Sequence, residues 1–246
     1  MVFTKHAARN IIGVVGNLIS FGLFASPIPT FIRIWKSNSV GEFKSDPYLA
    51  SIMNCMLWNF YGLPMVHPGS TLLVTINSVG LALELIYITI FFIYAQRNGR
   101  LKVTGFLFME FVVMTALVSF TLKFYDNHEQ RSTLVGIFCV VINILMYASP
   151  LTIMKKVIIT KSVKYMPFCL SLATFLNGAI WVLYATVDIF DLFVLIASSV
   201  GVLSGVLQLI LYACYYKAVP TLQVDDHHEK PADLQISVAV VDEEKA

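Results

Sequence analysis

Seven apolar runs, each long enough to cross a bilayer, dominate this chain: roughly residues 8–32, 46–65, 70–95, 103–123, 132–154, 166–187 and 190–216. A spanning helix needs about 20 mostly apolar residues. Inside hydrocarbon no water is present to satisfy backbone N–H and C=O groups, so such a chain is expected to be all α-helical. Composition agrees. Apolar residues make up 57% of the chain and charged residues 13%, against about 25% charged in a typical soluble domain. A water-soluble globule could not be coated with so little polar surface. The first run is longer than a leader's apolar core and holds Pro27 and Pro29, so it reads as a span.

Other classes find no support. A net charge of +2 leaves no electrostatic footprint for a nucleic acid. Cys55, Cys139, Cys169 and Cys214 all lie in apolar runs and read as small buried hydrophobes. There is no CxxC or CxxH spacing, no HExxH, no GxSxG and no close intramembrane acid pair. Neither a metal, a cofactor nor an enzyme is expected. His227 and His228 sit in a polar C-terminal stretch, 218–246, that reads as a disordered tail.

Lys and Arg sort the connections by side. The loops after the first, third and fifth spans, together with the tail, hold all but Lys5, Arg9, Lys123 and Arg131 of the 17 basic residues. Cytosolic loops are the basic ones. The expected topology therefore has the N-terminus outside and the C-terminus cytosolic.

The chain also repeats itself. LFASPIPTFIRIWKSNSV at 23–40 returns as MYASPLTIMKKVIITKSV at 146–163. With the same offset, Gly13 meets Gly136, and Asn54, Trp58 and Tyr61 meet Asn177, Trp181 and Tyr184. At slightly smaller offsets Pro47 meets Pro167, and NSVG at 77–80 meets SSVG at 198–201. The expected organisation is 3+1+3: a three-helix repeat over 8–95, a linker helix over 103–123 and a second repeat over 132–216. One intervening helix leaves both repeats pointing the same way. Parallel repeats enclose a site between them near the membrane midplane.

The segments SPIPTF, PYLASIMNCMLWNFYG, INSVG…ELIY, YASPLTIMKKVIITKSVKYMPF and GVLQLILY resemble the SWEET family of sugar transporters, over nearly all of residues 8–217. That resemblance implies a seven-span sugar uniporter in the lipid bilayer of the plasma membrane, with homo- or hetero-oligomers of related transporters. It implies a sugar site at Asn77 and its repeat partner, where Ser198 stands in place of the family's usual Asn. Trp58 and Trp181 complete that site. The chemistry fits a polyol: amides both donate and accept to hydroxyls, and indoles cover C–H faces. Asn54 and Asn177 lie one turn before the tryptophans, on the same helix face. Leu23 and Met146 resemble the family's size-selecting pair, and Ser20 and Asn143 lie one turn further back. These bulky groups favour a hexose.

Pro27, Pro47, Pro150 and Pro167 match the family's proline tetrad and are expected to kink their helices as four pivots. Tyr61 and Tyr184 lie toward the outer face, where Tyr61 is expected to close the mouth with Asp191, or with its rival Asp188. Phe43 is the candidate plug on the inner side. Glu84 and Glu110 are the only acids away from the span ends and read as structural or snorkelling groups, so no coupling ion is expected. The alternative is a proton-coupled carrier of amino acids or other small polar solutes of the PQ-loop type. Against it, no Gln follows the four prolines; Ile28, Tyr48, Leu151 and Phe168 do.

Overall fold

The computed structural model describes residues 2–216, and among them every regular element is helical. The tail at 218–246 lies outside the described residues. Nine α-helices run in order: α1 (Val2–Ala25), α2 (Ile28–Ser37), α3 (Asp46–Gly62), α4 (Thr71–Tyr94), α5 (Arg97–Phe124), α6 (His128–Met146), α7 (Ala148–Thr160), α8 (Phe168–Thr186) and α9 (Leu192–Tyr215). A 3-10 turn over Val163–Tyr165 precedes α8.

The nine helices make seven rods, because α1 with α2 and α6 with α7 are broken halves of one rod each. Six of the rods are long and apolar enough to span a membrane, by length and composition. The seventh is α3, with 17 residues, or about 25 Å at 1.5 Å per residue. It packs against α4, α5 and α6 and buries nine residues, from Leu49 to Gly62, so it is the innermost helix of the first repeat. By contrast α5 buries only Val103, Glu110, Leu117 and Thr121 of its 28 residues. It presents Phe106, Phe108, Met109 and Phe111 outward, as a peripheral, lipid-facing helix does.

Helix α4 packs against both α1 and α3, and α9 packs against both α6 and α8. The two sets meet through α1 against α8 and α3 against α6. Each repeat thus lends its first rod to the second rod of the other, the exchange a pseudo-two-fold axis requires.

The breaks explain the prolines, with one correction. Pro27 and Pro150 sit where the rods bend: α1 stops at Ala25 and α6 at Met146, and a new helix starts within three residues. Proline there removes an intrahelical bond, as expected. Pro47 and Pro167 do not break anything. Pro47 is in the first turn of α3 and Pro167 caps α8. At a helix N-terminus the missing N–H has no partner to lose, so proline starts the helix instead of kinking it.

The two ends differ. At one, Lys102 bridges to Asp46 at 2.7 Å and Arg100 donates to the Ile93 and Ala95 carbonyls at the end of α4; this is the basic end. At the other, Arg131 donates to the carbonyls of Met65 and Tyr125, tying the α3–α4 and α5–α6 connections together.

Candidate functional site

A cavity of about 360 Å³ lies between the two repeats, at the low end of the ~300–1,000 Å³ typical of small-molecule sites. Asn77, Ser198, Trp58, Trp181, Asn54, Asn177, Leu23, Met146, Ser20 and Asn143 all line it. They come from α1, α3 and α4 of the first repeat and α6, α8 and α9 of the second.

Local periodicity puts them there. On α3, Ser51, Asn54 and Trp58 recur at intervals of three and four and so share one face. On α8, Thr174, Gly178 and Trp181 do the same. On α4, Leu73, Asn77 and Glu84 form the wall. Two aromatic notches fix the approach of α1 to α4 and of the α6–α7 corner to α9. An added Cβ at Gly80 would lie 2.5 Å from the Phe24 ring, and one at Gly201 would lie 2.6 Å from the Tyr147 hydroxyl. Phe24 and Tyr147 occupy equivalent places in the repeat, and only glycine leaves room for them.

The polar groups are unevenly satisfied. Trp181 Nε1 donates to Ser20 Oγ at 3.1 Å, and Ser20 donates to the Asn177 amide oxygen. Asn77 donates to the Leu73 carbonyl at 2.8 Å. Asn54 and Asn143, in contrast, each keep a buried amide oxygen without a partner, and so does Glu84 Oε2. A buried acceptor left unpaired costs about 1–3 kcal/mol. Three residues of the cavity wall therefore hold spare acceptors just behind its surface, which a side-chain turn would offer to hydroxyl donors.

The end away from the basic loops is sealed. Tyr61 and Asp191 are 0% and 1% exposed, and the Tyr61 hydroxyl donates to Asp191 Oδ1 at 2.9 Å. The same oxygen caps α9 by accepting from the Phe193 and Val194 N–H groups. His67, in the α3–α4 connection, stacks on Tyr61 at 4.8 Å and brings Nε2 to 3.4 Å from Asp191 Oδ2, without an aligned hydrogen bond. Burial holds the His67 pKa below its usual value, outweighing the pull of Asp191, with Arg9 pushing the same way as burial. The rival acid, Asp188, is engaged elsewhere, 3.2 Å from His6.

Tyr184 is sealed differently. The Arg9 guanidinium lies 4.1 Å from its ring centroid, Arg9 Nε donates to its carbonyl, and Arg9 Nη1 donates to the Gly69 carbonyl at 2.9 Å. Below each tyrosine sits its tryptophan, edge to face: Trp58–Tyr61 at 5.4 Å and Trp181–Tyr184 at 5.2 Å. At the basic end the tetrad prolines are exposed or half-buried. Phe43 lies away from the cavity lining. It is half-buried against the cluster of Phe31, Ile34 and Tyr87 within the first repeat.

Several lining residues lie beyond those expected from the sequence. Phe24, Tyr147, Ser51 and Thr174 were legible as repeat-matched pairs one helical turn from residues already singled out. Glu84 was visible, but its place in the cavity wall was not. Arg9 gave no signal beyond a basic residue on the side where few are found.

A family model described as a sugar efflux transporter for intercellular exchange, MtN3/saliva, matches the chain twice, over residues 10–99 and 133–219. The chain belongs to the SWEET family. It is 53% identical to the bidirectional sugar transporter SWEET5 of Arabidopsis thaliana over 92% of this chain and 93% of that one. It is 58% identical to SWEET4 of the same plant, over 87% and 84%. A solved structure of a eukaryotic SWEET transporter superposes with a TM-score of 0.83 at 36% identity, covering 87% of this chain and 99% of that one. The two family matches leave out all but the first three residues of α5, which is the helix the internal repeat leaves unpaired. The family consists of transporters, so the chain is no enzyme.

Proposed function

We propose that this chain is a facilitative, bidirectional sugar uniporter that prefers a hexose and works by alternating access between its two repeats. The relatives' sugar-transporter names support the substrate class. The observation that carries the reading is the cavity itself. It combines two indoles, one from each repeat, with buried amide oxygens on Asn54 and Asn143 that have no partner. A sugar answers both features. Its C–H faces lie against rings, and its hydroxyls supply the missing donors, which offsets the several kcal/mol it would otherwise cost to take them from water. Leu23, Met146 and Asn143 narrow the chamber, which favours a monosaccharide.

Alternating access is supported by the contrast between the ends: Tyr61 and Asp191 are buried at one, and the four prolines are exposed or half-buried at the other. Breaks at Pro27 and Pro150 provide one bend per repeat for the rearrangement that reverses this. The basic loops support a C-terminus in the cytosol and an N-terminus outside. A multi-pass place in the plasma membrane and assembly with itself or related transporters complete the proposal.

The test is uptake of radiolabelled glucose, fructose and sucrose in cells lacking hexose carriers, with and without a protonophore. The expected result is saturable glucose uptake in either direction, insensitive to the protonophore. Uptake of sucrose but not hexose would overturn the preference, and loss of uptake with the protonophore would overturn the uniporter.

A further inference from the structure

We propose that Glu84 binds the transported sugar directly, as a hydroxyl acceptor on the basic-end wall of the cavity. The inference rests on the sugar-transport reading and adds a contact that the repeat symmetry does not provide.

Glu84 lines the cavity, is 5% exposed and keeps Oε2 without a partner. No lysine or arginine among the described residues pairs with it; the group beside its carboxyl is the Ser51 hydroxyl on α3, which also lines the cavity. An unpaired acid at membrane depth is expensive to keep and marks a functional contact more often than glue. Its place on α4 is informative. It lies seven residues beyond Asn77, two turns along nearly the same face, so the two Cα atoms are about 10 Å apart along the axis. The Glu side chain is the longer of the two and leans toward the N-terminus of its helix, that is, toward Asn77. The Asn77 amide leans the same way, to the Leu73 carbonyl, so only the extra length of Glu84 narrows the gap of about 10 Å, which one sugar ring with a hydroxyl at each end can bridge.

The chemistry suits a carbohydrate in either protonation state. An ionised carboxyl accepts two hydroxyls, and charge-assisted bonds of that kind are shorter and about twice as strong as neutral ones. A protonated one accepts and donates. The second repeat offers nothing equivalent. The place matching Glu84 is Gly205, where an added Cβ would lie 2.7 Å from the Phe175 Cα. The carboxyl therefore makes a pseudo-symmetric chamber asymmetric, and an asymmetric sugar can be oriented by it.

Competition by monodeoxy glucoses against labelled glucose tests this in wild type, Glu84→Ala and Glu84→Gln at matched surface expression. In wild type, removing the hydroxyl that meets Glu84 weakens competition about tenfold. In Glu84→Ala that one penalty disappears while those at other hydroxyls persist, and the KM for glucose rises about tenfold or more. Glu84→Gln, which keeps shape and an acceptor, falls between, and carries the test if the alanine variant does not reach the surface. A deoxy-sugar profile identical in wild type and variants overturns the inference and leaves sugar transport standing. No glucose uptake by wild type overturns both.

Discussion

The seam between α3 and α4 and its counterpart between α8 and α9 derive from one repeated pattern, yet they are packed differently. In the second repeat the helices meet backbone to backbone. An added Cβ at Gly178 would lie 2.7 Å from the Val202 nitrogen, and one at Gly205 would lie 2.7 Å from the Phe175 Cα. Small residues at such contacts are how helices gain packing energy in lipid. The first repeat places Cys55 and Glu84 at the matching positions, so α3 and α4 meet through side chains. Toward the basic end the first repeat stacks aromatic rings, Phe31 on Tyr87 at 4.6 Å with Tyr48 against both. The second links its helices by one polar contact, Ser171 to Gln208 at 3.0 Å, with Gln208 steadied within α9 by Ser204 at 3.2 Å, beside a single tilted ring pair, Phe168 and Tyr212 at 5.2 Å. The surfaces that face the shared cavity stay more nearly alike: Asn54/Asn177 and Trp58/Trp181 are kept, while Asn77/Ser198 and Glu84/Gly205 are not. Symmetry is strongest in the rings and amides that both repeats turn to one solute, and weakest along the seams by which each repeat holds itself together.

The largest expected effect follows from the tighter seam. Gly178→Leu forces two backbones apart and costs about 3 kcal/mol or more. Thermal unfolding in detergent should show a drop several times that of Cys55→Ala at the matching place. Equal drops would mean that the two seams are not packed differently.

Next is the cavity. Asn77→Ala should abolish glucose uptake at normal surface expression, whereas Ser198→Ala should lower it by no more than a few-fold. Comparable losses would restore a symmetric site. The gate pair is smaller. Tyr61→Phe removes a buried hydrogen bond from Asp191, about 1–3 kcal/mol, and should slow turnover about tenfold. Tyr184→Phe leaves its ring under Arg9 and should change turnover by less than threefold. Initial rates of uptake separate the two. Smallest is Ser198→Asn, which returns an amide opposite Asn77. One added hydrogen bond of about 1 kcal/mol would lower the KM for glucose roughly fivefold.

Much of this was legible in the residues. Apolar runs at membrane length gave the rods, and the ends of α4, α8 and α9 fall within about two residues of expectation. Repeat-matched polar residues in apolar helices gave the cavity lining, because a polar side chain there has few places to go except the interior. Other features were not legible. Val2–Ala25 begins before the apolar run does, since Arg9 is held by the Tyr184 and Gly69 carbonyls, which lie 175 and 60 residues away in sequence. Pro47 and Pro167 look like Pro27 and Pro150 in sequence; only the position of the helix start tells a kink from a cap. Phe43 faces its own repeat, because Phe31, Ile34 and Tyr87 offer it apolar cover there.

The most direct test is an experimentally determined structure with glucose bound. The sugar ring is expected between Trp58 and Trp181, within hydrogen-bonding reach of Asn77. Glucose held wholly within one repeat, or tryptophans turned outward to lipid with no chamber in common, would contradict it.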